Sequence, residues 1–249
     1  MPRRVSIVSG RLDVLGTYDV PGLASRRVRI YLPPGLEKRA HRPALYLFDG
    51  QNVFGDEGSY SGGWHVHRAV DRMVAARRKI VPIVVGVDHG GASRIDELSP
   101  WAKLDGLLDW MANTLVPDVQ RRIGVLAGPY GAAIGGSSMG GLAALHAHHR
   151  RPDVFGGALC MSPSLWFKQR AIFDYVHQAH KPSPSRIYLD CGAREAGGRM
   201  IHLVASMAKT LAQRGYDESH LMWRPDARGT HDERSWARRT PKALRFMYR

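Results

Sequence analysis

Ile134-Gly135-Gly136-Ser137-Ser138-Met139-Gly140-Gly141 links an apolar, glycine-rich run at residues 131–137 to a stretch in which Leu142, Ala143 and Leu145 fall at helical spacing. It holds one G-x-S-x-G, with Gly136 and Gly140 on either side of Ser138. A serine at a tight strand-to-helix turn takes a strained backbone conformation, and small neighbours are needed where the two elements nearly touch. The turn aims the hydroxyl into open space and puts the next backbone N–H, that of Met139, where a developing oxyanion would lie. The pattern therefore predicts Ser138 as a nucleophile and Met139 as an oxyanion donor.

Working outward, short apolar runs recur at residues 28–32, 44–48, 81–87, 157–161, 186–190 and 221–224, of the kind that suits strands buried on both faces. Helical spacing fills the intervals, as in Trp64, Val66, Ala69, Val70 and Met73, then Leu104, Leu107, Leu108, Met111 and Leu115, and again at residues 201–211 and 236–248. Strands alternating with helices imply crossover units and a mainly parallel sheet, with ligands gathered beyond the carboxyl ends of the strands. The expected fold class is α/β, specifically an α/β-hydrolase fold with helices on both sides of the sheet. Residues 1–249 contain no repeat, low-complexity tract or long linker, so one domain is expected.

A serine hydroxyl is a weak nucleophile until a base takes its proton. In this fold the order along the chain is serine, acid, histidine, which puts the histidine after the last strand. Of the 12 histidines, His231 in Gly229-Thr230-His231-Asp232 meets that condition, whereas His220 starts the strand itself. Three acids compete to orient it. Asp190 ends a strand, Glu195 lies five residues beyond with the reach of a loop, and Asp226 stands near His231 in the chain. Asp49-Gly50-Gln51-Asn52, after the strand at 44–48, should supply a second oxyanion donor from the Gln51 N–H, with Asn52 as the neighbouring choice. Arg94, in the loop after residues 81–87, is a candidate to hold an anionic or sugar substrate.

Several of these segments together resemble the esterase D and enterochelin esterase group, which includes feruloyl esterase domains. The likeness rests on Tyr46-Leu47-Phe48-Asp49-Gly50-Gln51-Asn52-Val53-Phe54, on the serine turn, on Pro152-Asp153-Val154-Phe155-Gly156 and on Ser162-Pro163-Ser164-Leu165-Trp166. It continues through Asp190-Cys191-Gly192-Ala193-Arg194-Glu195 and Gly229-Thr230-His231 with Trp236, running almost end to end. The resemblance implies an esterase, favours Glu195 as the acid, and places Trp64, Trp166 and Trp236 around the mouth of the site as substrate-binding aromatics. It permits siderophore lactones, feruloylated or acetylated carbohydrates, and small thioesters as substrates.

Composition narrows the alternatives. Apolar residues make up 44% and charged residues 23% of the 249, ordinary for a globular chain with a sizeable core. No run reaches the roughly 18 apolar residues of a membrane span, so no membrane partner is expected. The formal net charge of +14 is spread through every segment and accompanies no nucleic-acid module, so no nucleic-acid partner is expected either. Met1 to Gly10 has two arginines without an apolar core behind them, and the 2 cysteines sit in apolar segments, which together suggest a reducing cytoplasm. His146, His148 and His149 lack a third ligand on one helix face, and His65 and His67 fail the same test, so no metal is expected. The reading needs no cofactor, takes a small-molecule ester as partner and leaves open a homo-oligomer. Its rivals are an acyltransferase on the same fold, a non-catalytic binding protein on that scaffold, and a basic nucleic-acid binder.

Overall fold

A computed structural model describes residues 9–35, 42–55, 59 and 62–249. The Met1 to Gly10 segment read for a leader lies outside them through residue 8. Among the described residues, eight strands form one sheet: β1 (Arg11–Tyr18), β2 (Arg26–Leu32), β3 (Ala44–Phe48), β4 (Ile83–Val87), β5 (Ala132–Ser137), β6 (Gly157–Met161), β7 (Arg186–Gly192) and β8 (Leu221–Asp226). Their order is β1-β2-β4-β3-β5-β6-β7-β8. The β1–β2 and β2–β4 pairings are antiparallel and all others parallel.

Helices fill the crossovers: α1 (Gly50–Val53), α2 (Val66–Ala75), α3 (Arg94–Glu97), α4 (Leu104–Trp110), α5 (Val116–Ile123), α6 (Met139–Arg150), α7 (Phe167–Arg170), α8 (Ile172–Gln178), α9 (Arg199–Gln213) and α10 (Glu233–Met247). A π-turn at Met111–Leu115 carries α4 into α5, so the helix expected at 104–115 extends well beyond it. Among the described residues, no helix is long and apolar enough to cross a membrane.

Side chains alternate between faces along a strand, and here both faces are covered. On β3, Ala44, Tyr46 and Phe48 join one core with Leu107, Leu142 and Val204. Leu45 and Leu47 point the other way, into a second core with Val70, Trp236 and Leu244. Every residue of β3, β4, β5 and β6 is buried, which explains why these strands read as unbroken apolar runs.

The strand not foreseen is β1. It is an edge strand paired on one side only, with Leu12 47% and Val14 57% exposed and a register shift between Val14 and Gly16. Half-wet strands with a bulge lose the alternation that betrays a strand in sequence.

Candidate active site

Ser138 stands between β5 and α6 with φ 57° and ψ −120°, a conformation rarely taken by a residue with a Cβ. It is held from both sides. Its N–H donates to Met161 O at 3.0 Å, while its carbonyl accepts from Gly141, Leu142 and Ser164 N–H at 3.0–3.1 Å. The strand and helix approach so closely that a Cβ on Gly136 would lie 2.7–2.8 Å from the Gly140 backbone. Met139 is the first residue of α6, a position whose N–H a helix leaves without an intrahelical partner. The Ser138 hydroxyl rests 3.2 Å from Ser164 Oγ.

Opposite α6, Asp49 takes a left-handed conformation (φ 60°, ψ 47°) and turns β3 into the short α1 that carries Gln51. Arg94 grips the Asp49 carboxylate with two bonds, Nε to Oδ1 at 2.6 Å and Nη2 to Oδ2 at 2.7 Å. The expectation that Arg94 sits in a loop is revised. It opens α3, and its guanidinium is committed to the backbone turn beside Gln51. The Gln51 side chain also helps fix this region, its Oε1 accepting from His89 N–H at 3.2 Å.

His231 lies in the loop between β8 and α10, which Asp232 caps by accepting from Ser235 N–H at 2.8 Å. Its Nδ1 is 2.8 Å from Glu195 Oε2. Glu195 is 3% exposed, and its Oε1 accepts from Gly192 N–H at 2.6 Å and Ser162 Oγ at 2.7 Å. Burial would raise this carboxyl group's pKa, but the bonds from His231, Ser162 and Gly192 outweigh it and hold it below the usual glutamate value.

The other two acids are occupied elsewhere. Asp190 is fully buried, where it accepts from Tyr188 at 3.2 Å and from Ser162 N–H at 3.2 Å. Arg239 Nε lies 3.0 Å from its Oδ2, an ion pair without the alignment of a hydrogen bond. Burial pushes Asp190 up to about 7 despite that pairing. Asp226 binds Arg238 at 2.6 Å.

Behind Glu195 is a cluster that the residue types alone did not reveal. Ser162 Oγ donates to Glu195 and accepts from Trp236 Nε1 at 3.0 Å and Arg239 Nη2 at 2.8 Å. Trp236 and Arg239 lie three apart on α10 and so share a helix face, the one sequence signal that could have paired them.

The three tryptophans separate in role. Trp236 is 5% exposed and sets its ring edge-on to His231, with centroids 5.2 Å apart. Trp64 is 2% exposed, donates to Thr240 Oγ1 at 2.6 Å and packs on Trp236, so it braces that ring from within the core and offers almost no surface to a substrate. Trp166 is 58% exposed and stacks edge-to-face on Phe167, which also contacts the half-exposed Trp101.

The helix histidines diverge as well. His146 meets Asp105, His148 meets Phe155 O and Ser185, and His149 meets Leu145 O and Tyr216. Among the described residues no three His, Cys, Asp or Glu side chains are grouped to hold a metal ion.

The mainly parallel sheet, its strand order and the helices on both faces define an α/β-hydrolase fold. Residues 24–247 match the protein family described as "Putative esterase", and the chain belongs to it. It is a carboxylic-ester hydrolase.

A Bacillus subtilis (strain 168) relative, "Uncharacterized protein YbbA", is 23% identical over 246 residues, which cover 90% of this chain and 93% of that protein. Among solved structures, a ferulic acid esterase superposes with TM-score 0.71 at 19% identity, covering 96% of this chain and 99% of its own. The enterobactin esterase FES from Shigella flexneri, in the presence of enterobactin, gives TM-score 0.76 at 19% identity over 97% of this chain and 60% of that one. At these identities the structural likeness speaks to the fold.

Proposed function

We propose that the chain hydrolyses small-molecule carboxylic esters through an acyl-enzyme on Ser138. Ser138 Oγ attacks the ester carbonyl as His231 Nε2 takes its proton, and the N–H groups of Met139 and Gln51 receive the oxyanion. Collapse of the tetrahedral intermediate expels the alcohol, protonated by His231. Water, activated by the same imidazole, then attacks the acyl group and releases the acid and free Ser138. Glu195 fixes the imidazole tautomer with hydrogen on Nδ1 and stabilises the imidazolium that forms.

The observation that carries this reading is the 2.8 Å Glu195–His231 contact, since it leaves Nε2 as the basic nitrogen of a ring whose orientation is fixed. Ser138 Oγ lies against Ser164 Oγ rather than in a hydrogen bond with His231, and catalytic hydrogen bonds are often unformed before substrate binds. Trp166 is the substrate-facing aromatic in this reading, while Trp64 and Trp236 support the histidine. Esters of ferulic acid and enterobactin, after which these two structural neighbours are named, head the panel of candidate substrates.

Replacing Ser138 by Ala tests the assignment with a p-nitrophenyl ester. The expected loss is on the order of 10⁴-fold to 10⁶-fold in kcat with the melting temperature retained. Turnover within about tenfold of the unaltered chain would remove Ser138 from the mechanism.

A further inference from the structure

A cavity opens at the end of the sheet opposite Ser138. Pro43, Val81, Ala132, Gly157 and Arg186 all line it, and each stands at or just before the start of a parallel strand, β3 to β7. Ser138 follows the carboxyl end of β5, six residues from Ala132, so roughly 20 Å of strand separates this cavity from the proposed nucleophile. Its volume is about 340 Å³, within the range of small-molecule sites.

The chemistry of its wall is one-sided. Arg42, Lys79 and Arg186 line it together with Ile80, Leu126 and Met247, and no Asp or Glu is present among the described lining residues. A groove adjoins it across Arg186 toward Lys181, His220 and Arg249, with no Asp or Glu among its described lining residues.

Arg186 is the telling residue. Its Nη1 donates to Met247 O at 2.9 Å, its guanidinium lies 5.9 Å from the Phe246 ring centroid, and its buried Nε has no hydrogen-bond partner among the described residues. It forms no ion pair with any described carboxylate, and the neighbouring Arg249 stacks on the same Phe246 ring at 4.9 Å, adding positive charge. Burial and Arg249 both press on its charged form. The buried hydroxyl of Tyr248, also on the wall, is likewise without a hydrogen-bond partner among the described residues. A partly buried guanidinium normally finds a carboxylate or phosphate within its own chain, because desolvating it unpaired is costly.

We infer that this cavity is a binding site for a small monocarboxylate with an apolar body, its carboxylate at the Arg186 guanidinium and its body against Val81, Leu126 and Met247. The apolar wall favours a chain or ring over a bare inorganic anion, and the Arg186 guanidinium attracts the charged end.

Calorimetric titration of sodium octanoate into the Ser138→Ala chain tests this, with 1-octanol as the neutral isostere. The expected result is saturable one-to-one binding of octanoate, with 1-octanol weaker by about tenfold or more. Arg186→Gln should weaken octanoate by a similar factor while leaving p-nitrophenyl acetate turnover unchanged when placed in the chain that retains Ser138. Should Arg186→Gln fail to fold, the exposed Lys79→Gln and the octanol comparison decide, with Lys79→Gln expected to weaken octanoate a few-fold. Absence of saturable binding, equal affinity for octanol, or octanoate binding unaffected by the substitution examined would each overturn the proposal.

Discussion

Gly192 and Gly229 meet backbone to backbone: a Cβ on Gly229 would lie 2.6 Å from the Gly192 Cα. Gly192 ends β7 just ahead of Glu195, and Gly229 sits two residues before His231. Hydrogen bonds from Ala193 N–H to Asp226 O at 2.8 Å and from Arg194 N–H to Gly229 O at 3.1 Å seal the approach. The absence of two side chains is thus what lets the acid loop and the histidine loop close on each other.

Replacing Gly229 by Ala should force these loops apart. The strain of overpacking is typically about 1–3 kcal/mol, so the fold should survive with a lowered melting temperature. Ester turnover should fall much further than stability, by roughly 10²-fold, because displacements near 1 Å at a reacting group have that effect. Parallel measurement of melting temperature and kcat checks this, and an unchanged kcat would refute the idea that loop closure sets the histidine.

Arg94 acts at one remove, through Asp49. Because its guanidinium holds a residue with φ 60° beside the proposed oxyanion donor, Arg94→Met should let that turn relax toward commoner backbone angles. The expected signature is kcat lower by about 10-fold to 100-fold with KM nearly constant, and partial recovery in Arg94→Lys. A rise in KM alone would instead return Arg94 to substrate binding.

Asp190 gives a pH signature opposite to the usual carboxylate. Its folded pKa, about 7, lies above the ordinary 3.8, so the folded chain binds the proton more tightly than the unfolded chain. Its contribution is therefore most favourable below about pH 4, declines as the pH rises toward 7, and is level beyond. Glu195, held below its ordinary value, works the other way: its contribution is present above the ordinary glutamate pKa and is lost as the pH falls through the folded value. Melting curves of the unaltered chain and of Asp190→Asn, compared from pH 4 to 8, should show the unaltered chain losing ground relative to the variant up to about pH 7. A difference that stays flat, or grows in the other direction, would contradict a raised Asp190.

The parts of this molecule legible in sequence are those written locally. Strands β3 to β6 are buried on both faces and so appear as continuous apolar runs, and Ser138 is flagged by glycines within two positions of it. The order of strands and loops singles out His231 among the 12 histidines, but it leaves Glu195 in competition with Asp190 and Asp226. Edge strand β1 escapes notice because half its surface is wet. Ser162 and Arg239 escape for a different reason. They meet only in three dimensions, 77 residues apart, and Arg239 is one of 36 Lys and Arg residues with nothing local to mark it. The aromatic character of Trp64 likewise says nothing about where its indole N–H will find a partner, and that partner, Thr240, is supplied by the last helix.

The most direct test of the account is labelling with a fluorophosphonate probe, followed by mass spectrometry of the modified peptide. The account predicts one stoichiometric adduct on Ser138, formed at a rate that falls on the order of 10³-fold or more when His231 is replaced by Ala. An adduct on another residue, no adduct at all, or labelling that is indifferent to loss of His231 would contradict it.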